Sequence, residues 1–167
     1  MTDTTETTVP ETSVPETAAS ETTAAPAGQA LPLKRPKIAV LLREDLLPWQ
    51  ELNVAAFLIS GIAAARPDLM GAPYGDADGA HYLPLLGHPV SVLTASADQL
   101  AASRGRAIER GLAMSVYDAG MFATGNDADN RAVVAAKTGA ELDLVGLAVV
   151  GERNPVDKVT KGAVLHP

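Results

Sequence analysis

The chain contains no cysteine, which excludes disulfides, thiolate metal sites and thiol catalysis together. It lacks any apolar run near the roughly 18 residues that cross a bilayer, and its N-terminus lacks the basic-then-apolar order of a signal peptide. A cytoplasmic protein with no membrane partner is the expectation. Basic charge is scarce too: 20 Asp and Glu face 13 Lys and Arg, for a formal net charge of −7. Residues 1–33 hold five of those acids and no base, so the rest of the chain carries only −2. A near-neutral body behind an acidic tail lacks the basic surplus of a general nucleic-acid binder.

Several catalytic signatures are missing as well. There is no Gly-x-Ser-x-Gly elbow for a Ser-His-Asp hydrolase. The glycines at 71, 75 and 79 do not join a strand to a helix as a phosphate loop requires. His81, His88 and His166 form no local ligand pair. No metal and no cofactor are expected.

What is present is 167 residues at 47% apolar content, enough for one folded domain with a sizeable core. Residues 1–33 stand apart: Thr, Glu, Ala and Pro dominate, VPETSVPET is a near-repeat, and no aromatic occurs. Such a segment has almost nothing to bury and reads as a disordered tail, either a passive extension or a docking tail for a scaffold or shell. Residues 36–167 then read as the single domain.

KIAVLL, from Lys37, is a short continuous apolar run, as expected of a strand buried on both faces. Residues 51–65 place Leu52, Ala55, Ala56, Ile59, Ile62 and Ala63 on one helical stripe. Val54, Phe57 and Leu58 widen it until the helix is apolar nearly all round, which suits a sandwiched helix or one covered by a second subunit. Asp78-Gly79 between Tyr74 and Tyr82 predicts a hairpin, with turn chemistry a better account of Asp76 and Asp78 than a calcium loop. Further strands are expected at 89–95, 112–118 and 142–151, the last with two glycines that imply close backbone contact. Helices are expected over DQLAASRGRAIERG, over 127–137, and over NPVDKVTKG with Asn154 as its cap. The alternation predicts a three-layer α/β domain with a small, mixed, mostly parallel four-stranded sheet flanked by helices.

Ligands of open α/β sheets sit at the carboxyl ends of strands. The turn after the first strand offers Arg43, Glu44 and Asp45, with Trp49 as a flat apolar wall and Asn53 in the helix beyond. The loop after the third expected strand combines Asp118, Thr124, Asn126, Asp127, Asn130 and Arg131. Asn130 and Arg131 point about 100° apart on a helix, so one of the two is expected to face a given pocket.

KIAVLLREDLLPWQELNVAAFLISG, MFATGNDADNRAVV and LVGLAVVGERNPVDKVTKG together resemble the bacterial domain-of-unknown-function two-thousand family across residues 36–167. That family is in turn similar in fold to the type 2 peptidyl-tRNA hydrolases. Arg43, Asp45 and Leu46 match the hydrolases' first turn, Asp118-Ala119-Gly120 their Asp-Ala-Gly segment, and Asp157 to Thr160 their closing helix. The resemblance implies a role for Asp118 in a reaction and tRNA as a partner. Against this, Leu47-Pro48-Trp49-Gln50 stands where the hydrolases carry lysines, and Met121 and Phe122 displace the threonine to Thr124.

Three functions follow as expectations. The first is a small-molecule-binding protein or enzyme: in a hydrolytic version Asp45 or Asp118 would act as the base, Arg43 or Arg131 would hold an anionic group, and Trp49 would wall the pocket. The second is a non-catalytic interaction module, dimeric through helix 51–65 and docked by its tail. The third is residual peptidyl-tRNA hydrolysis.

Overall fold

The apolar run at Ile38 becomes the middle strand of a five-stranded sheet in a computed structural model that describes residues 31–167. The tail expected over 1–33 therefore lies, but for its last three residues, outside the described residues. In β1 (Pro36–Arg43), Ile38 to Leu41 are fully buried. Ile38, Val40 and Leu42 face Val54, Leu58 and Ile62 of α1 (Pro48–Ala65). Ala39 and Leu41 face Leu100 and Ala107 of α2 (Ala97–Glu109), with Val156 and Val159 of α4 (Arg153–Val159). A strand clad by helices on both sides has no polar face, which is why its sequence shows no alternation.

The other strands of this sheet are β4 (Val90–Ala95), β5 (Ala113–Asp118), β6 (Leu144–Glu152) and β7 (Val164–Leu165), in the order β5-β6-β1-β4-β7. The expectation of four strands is thus corrected to five. β7 is a two-residue edge strand, too short to carry a period. The expectation of a mostly parallel sheet is also corrected: only β1 and β4 pair in parallel, and the β1–β6, β5–β6 and β4–β7 pairs are antiparallel. α1 and α2 are crossovers that keep β1, β4 and β5 in one direction. The connection through residues 119–143, with the short 3₁₀ turn Ala119–Ala123 and α3 (Asp127–Ala135), reverses the chain. β6 then inserts between β5 and β1.

β2 (Tyr74–Gly75) and β3 (His81–Tyr82) form the expected hairpin, Tyr74 opposite Tyr82. Asp76 organises its turn: one oxygen accepts from the Asp78 and Ala80 amides, the other from the Tyr82 hydroxyl at 2.6 Å.

α1 begins at Pro48, three residues before the expected start, because proline suits a first helical turn and Gln50 Oε1 accepts from the Leu47 amide at 2.9 Å. Its buried stripe is Val54, Leu58 and Ile62, while Leu52 is 74% exposed. Gly146 selects that stripe. A Cβ at 146 would lie 2.4 Å from Val54 Cγ1 and 2.9 Å from Leu58 Cδ1, so these two side chains occupy the space glycine leaves. α4 starts at Arg153 with Glu152 before it, so the expected Asn154 cap is already inside the helix. The Glu152 carboxylate accepts instead from the Lys34 and Arg35 amides at 2.7 and 3.1 Å, and this ties the start of the domain to the end of β6.

Candidate functional site

Trp49, Asn53 and Phe57 recur at helical spacing and form a second stripe of α1, beside the one that enters the core. Opposite them stand Tyr117 of β5, Phe122 of the 3₁₀ turn, and Asn130 of α3. Together they bound an open cleft of about 870 Å³, within the range of small-molecule sites. Four of the chain's six aromatic side chains meet there. Their ring centroids run in sequence, Trp49 to Phe122 at 5.7 Å, Phe122 to Tyr117 at 5.1 Å, Tyr117 to Phe57 at 5.9 Å. The outer pairs are edge-to-face, as ring quadrupoles favour. Trp49 and Phe57 remain more than half exposed, so the wall is open to an incoming group.

Polar groups rim this wall. The Tyr117 hydroxyl donates to Asn53 Oδ1 at 3.2 Å, and burial pushes the Tyr117 phenol above its ordinary range. The Thr124 hydroxyl lies 2.8 Å from the Met121 carbonyl and is bonded to Asn130 Oδ1. Asn126 caps α3 by accepting from the Asp129 amide at 2.9 Å. Arg131 pairs with Asp127 one turn back, both well exposed at the mouth. Asn130 and Arg131 both line the cleft, against the expectation that one would, because the long arginine reaches round at the rim.

The structure thus brings together Trp49, Asn53, Thr124, Asn130 and Arg131. Arg43, Asp45 and Asp118 are not among the residues that line the cleft. Arg43 bridges Asp45 at 2.6 Å and Asp143 at 2.5 Å. Burial disfavours its charge, but the bonds to Asp45 and Asp143 outweigh burial and raise its pKa. Asp118 is fully buried: Oδ1 accepts from the Gly120 amide at 2.8 Å and Lys137 Nζ at 2.7 Å, and Oδ2 from the Asp143 amide at 2.9 Å. Successive strand residues point to opposite faces, so Tyr117 on the cleft side sends Asp118 to the other. Here β5 and β6 also slip register, Tyr117 opposite Gly146 and Asp118 opposite Leu144.

Sequence reasoning did not single out Tyr117, Phe122 or Lys137. Tyr117 sat inside an apparent core strand, and Lys137 is 19 residues from its carboxylate. The one signal available was the scarcity of aromatics, which makes each of them informative.

Among the described residues no helix is long and apolar enough to cross a membrane, and no three His, Asp or Glu side chains are grouped to hold a metal ion. No curated protein matches the chain. A solved structure of a protein of unknown function from Agrobacterium tumefaciens is similar to it, with 45% identity and a TM-score of 0.77, covering 79% of this chain and 98% of that one. Residues 36–167, from the first strand through the last, match one family along their whole length, and the chain accordingly belongs to the family described as protein of unknown function, DUF2000.

Proposed function

We propose that the chain is a small-molecule-binding domain whose ligand lies in the cleft between α1, β5 and α3. The observation that carries this reading is the convergence of Trp49, Phe57, Tyr117 and Phe122 on one open cleft in a chain with only six aromatics. Half-exposed aromatic walls with a few oriented polar groups are the usual composition of such sites. A thermal-shift screen of the full chain against metabolites tests it, since a ligand that binds only the folded state raises Tm. A hit that stabilises the native chain and not Trp49→Ala supports the reading; hits indifferent to Trp49 and Phe122 overturn it.

The likeness to type 2 peptidyl-tRNA hydrolases is a proposal of fold kinship, supported by Arg43 and Asp118, which end β1 and β5 at one end of the sheet, with Asp45 bonded to Arg43. Hydrolysis has less support. The oxygens of Asp118 are already engaged by Lys137 and two backbone amides, and Asp45 holds Arg43. Absence of peptidyl-tRNA cleavage at low salt would remove it.

A second reading, the dimeric interaction module, is favoured by Leu47 and Leu52, which are 56% and 74% exposed at the start of α1. A sedimentation profile that shifts to the smaller species in Leu52→Glu would support it.

A further inference from the structure

The hydrogen-bonding capacity of the cleft is unevenly spent. Asn53 Oδ1 is taken by the Tyr117 hydroxyl, and Asn130 Oδ1 shares the single Thr124 hydroxyl proton with the Met121 carbonyl. An amide whose oxygen faces inward turns its NH₂ outward. The hydroxyls have given up their protons inside the protein as well: Ser60 donates to the Phe57 carbonyl at 2.7 Å, and Ser115 to the Leu58 carbonyl at 2.8 Å. Asn126 uses both ends of its amide on Asp129. The side-chain donors left over include the amino groups of Asn53 and Asn130, the indole N–H of Trp49, the second N–H of Asn126, and those guanidinium N–H groups of Arg131 that do not meet Asp127.

The amides of Asn53 and Asn130 lie on opposite walls, Asn53 on α1 between Trp49 and Phe57 along the helix, and Asn130 on α3. Trp49 and Phe122 meet edge-to-face at 67°, so a flat ring buries most area by lying on the open face of one and against the edge of the other. Asp127 and the oxygens of the hydroxyls remain acceptors elsewhere in the cleft, but the ligand edge that meets the two amide amino groups must carry acceptors, because two facing donors would both lose their bonds to water unreplaced.

We propose that the ligand is a planar aromatic acid or aromatic carbonyl compound, its ring against the Trp49–Phe122 wall and its acceptor edge turned toward the amino groups of Asn53 and Asn130. Arg131 at the mouth releases Asp127 and meets the same acceptor edge, a charge-assisted contact for a carboxylate. This inference rests on the small-molecule reading and adds the chemical class.

Three soluble probes separate its parts: naphthoate, naphthylmethylammonium, which keeps the ring but carries a donor, and cyclohexanecarboxylate, which keeps the acid without a flat ring. Binding to the full chain is measured by calorimetry, and occupancy of the cleft by the indole N–H resonance of Trp49, the chain's single tryptophan. Naphthoate is expected to bind about tenfold or more tightly than either of the others and to shift the Trp49 resonance.

Asn53→Asp and Asn130→Asp each keep the inward oxygen and replace the outward amino group by an oxygen. Both are expected to weaken naphthoate and strengthen the ammonium, and circular dichroism and unchanged Tm verify that each variant is folded. Equal affinity for both naphthalene probes overturns the acceptor-edge inference while leaving a small-molecule cleft standing. Preference for the ammonium, or no change of preference in either folded variant, also overturns it. Failure of all three probes to move the Trp49 resonance overturns the inference alone if metabolite hits depend on Trp49, and both readings if none do.

Discussion

The Tyr117 hydroxyl donates to Asn53 Oδ1 at 3.2 Å, joining the middle of the cleft's aromatic wall to the helix that faces it. Phe122 packs on the same Tyr117 ring and carries Trp49 edge-on. One side chain thereby sets the spacing of the two walls and the orientation of an amide that a ligand would meet.

Removing that hydroxyl tests the link. Tyr117→Phe should cost about 0.5–1.5 kcal/mol of stability by urea denaturation, the net worth of one hydrogen bond. It should also alter the alkaline limb. Tyr117 is held above its ordinary pKa of 10.0 by burial, so its stabilising contribution is complete below pH 10 and is lost as pH rises through the folded value. The variant should lose less stability than the native chain across that interval, although Tyr82, raised by its bond to Asp76, titrates in both.

Asp118 is a structural residue on this account. Asp118→Asn should destabilise the chain by about 3 kcal/mol, as loss of one partner from a buried ion pair does, because Lys137 and the Asp143 amide converge on it. Denaturant unfolding measures the loss. Affinity of the cleft for any ligand, measured at a temperature where the variant is folded, should be unchanged.

Gly146→Ala should cost about 1–3 kcal/mol through overpacking against Val54 and Leu58. Combining it with Val54→Ala should recover part of that loss. Strict additivity of the two changes would show that Gly146 does not select the buried face of α1.

The edge strand β7 should loosen with rising pH. His166 bonds the Pro167 carbonyl at 3.1 Å and the Glu51 carboxylate at 3.2 Å, and these two contacts, in that order, raise its pKa above 6.5. A raised histidine contributes stability that is full below the unfolded value and is lost as pH climbs through the folded one. Hydrogen exchange of the His166 amide, which bonds the Val92 carbonyl at 3.1 Å, should therefore quicken from pH 6.5 upward, beyond its intrinsic pH dependence. His166→Gln should remove the excess.

How much of this was legible in the sequence follows from contrast between faces. β1, β4, β5 and β6 were readable because each is a bounded apolar run, whereas two residues of β7 carry no pattern. α1 was readable as a helix, but its buried stripe was not. With Leu52, Val54, Phe57, Leu58 and Ile59 all apolar, periodicity had no polar face to exclude, and the choice was made by a glycine in β6, over 80 residues away. The cleft was half legible: strand-end reasoning pointed to Trp49, Asn53, Thr124, Asn130 and Arg131. The same reasoning grouped Asp118 with them, though strand pleating turns it from Tyr117's side. Arg43 looked available because its second partner, Asp143, is 100 residues further along.

A ligand seated in this aromatic cleft would lie against Trp49, whose indole N–H resonance reports on it directly. In a titration of the full chain with any compound that raises its Tm, that resonance should move and saturate with the binding curve. The movement should vanish in a folded Phe122→Ala variant that no longer binds. A compound that stabilises the chain while the Trp49 resonance stays fixed would place the ligand elsewhere and contradict the account.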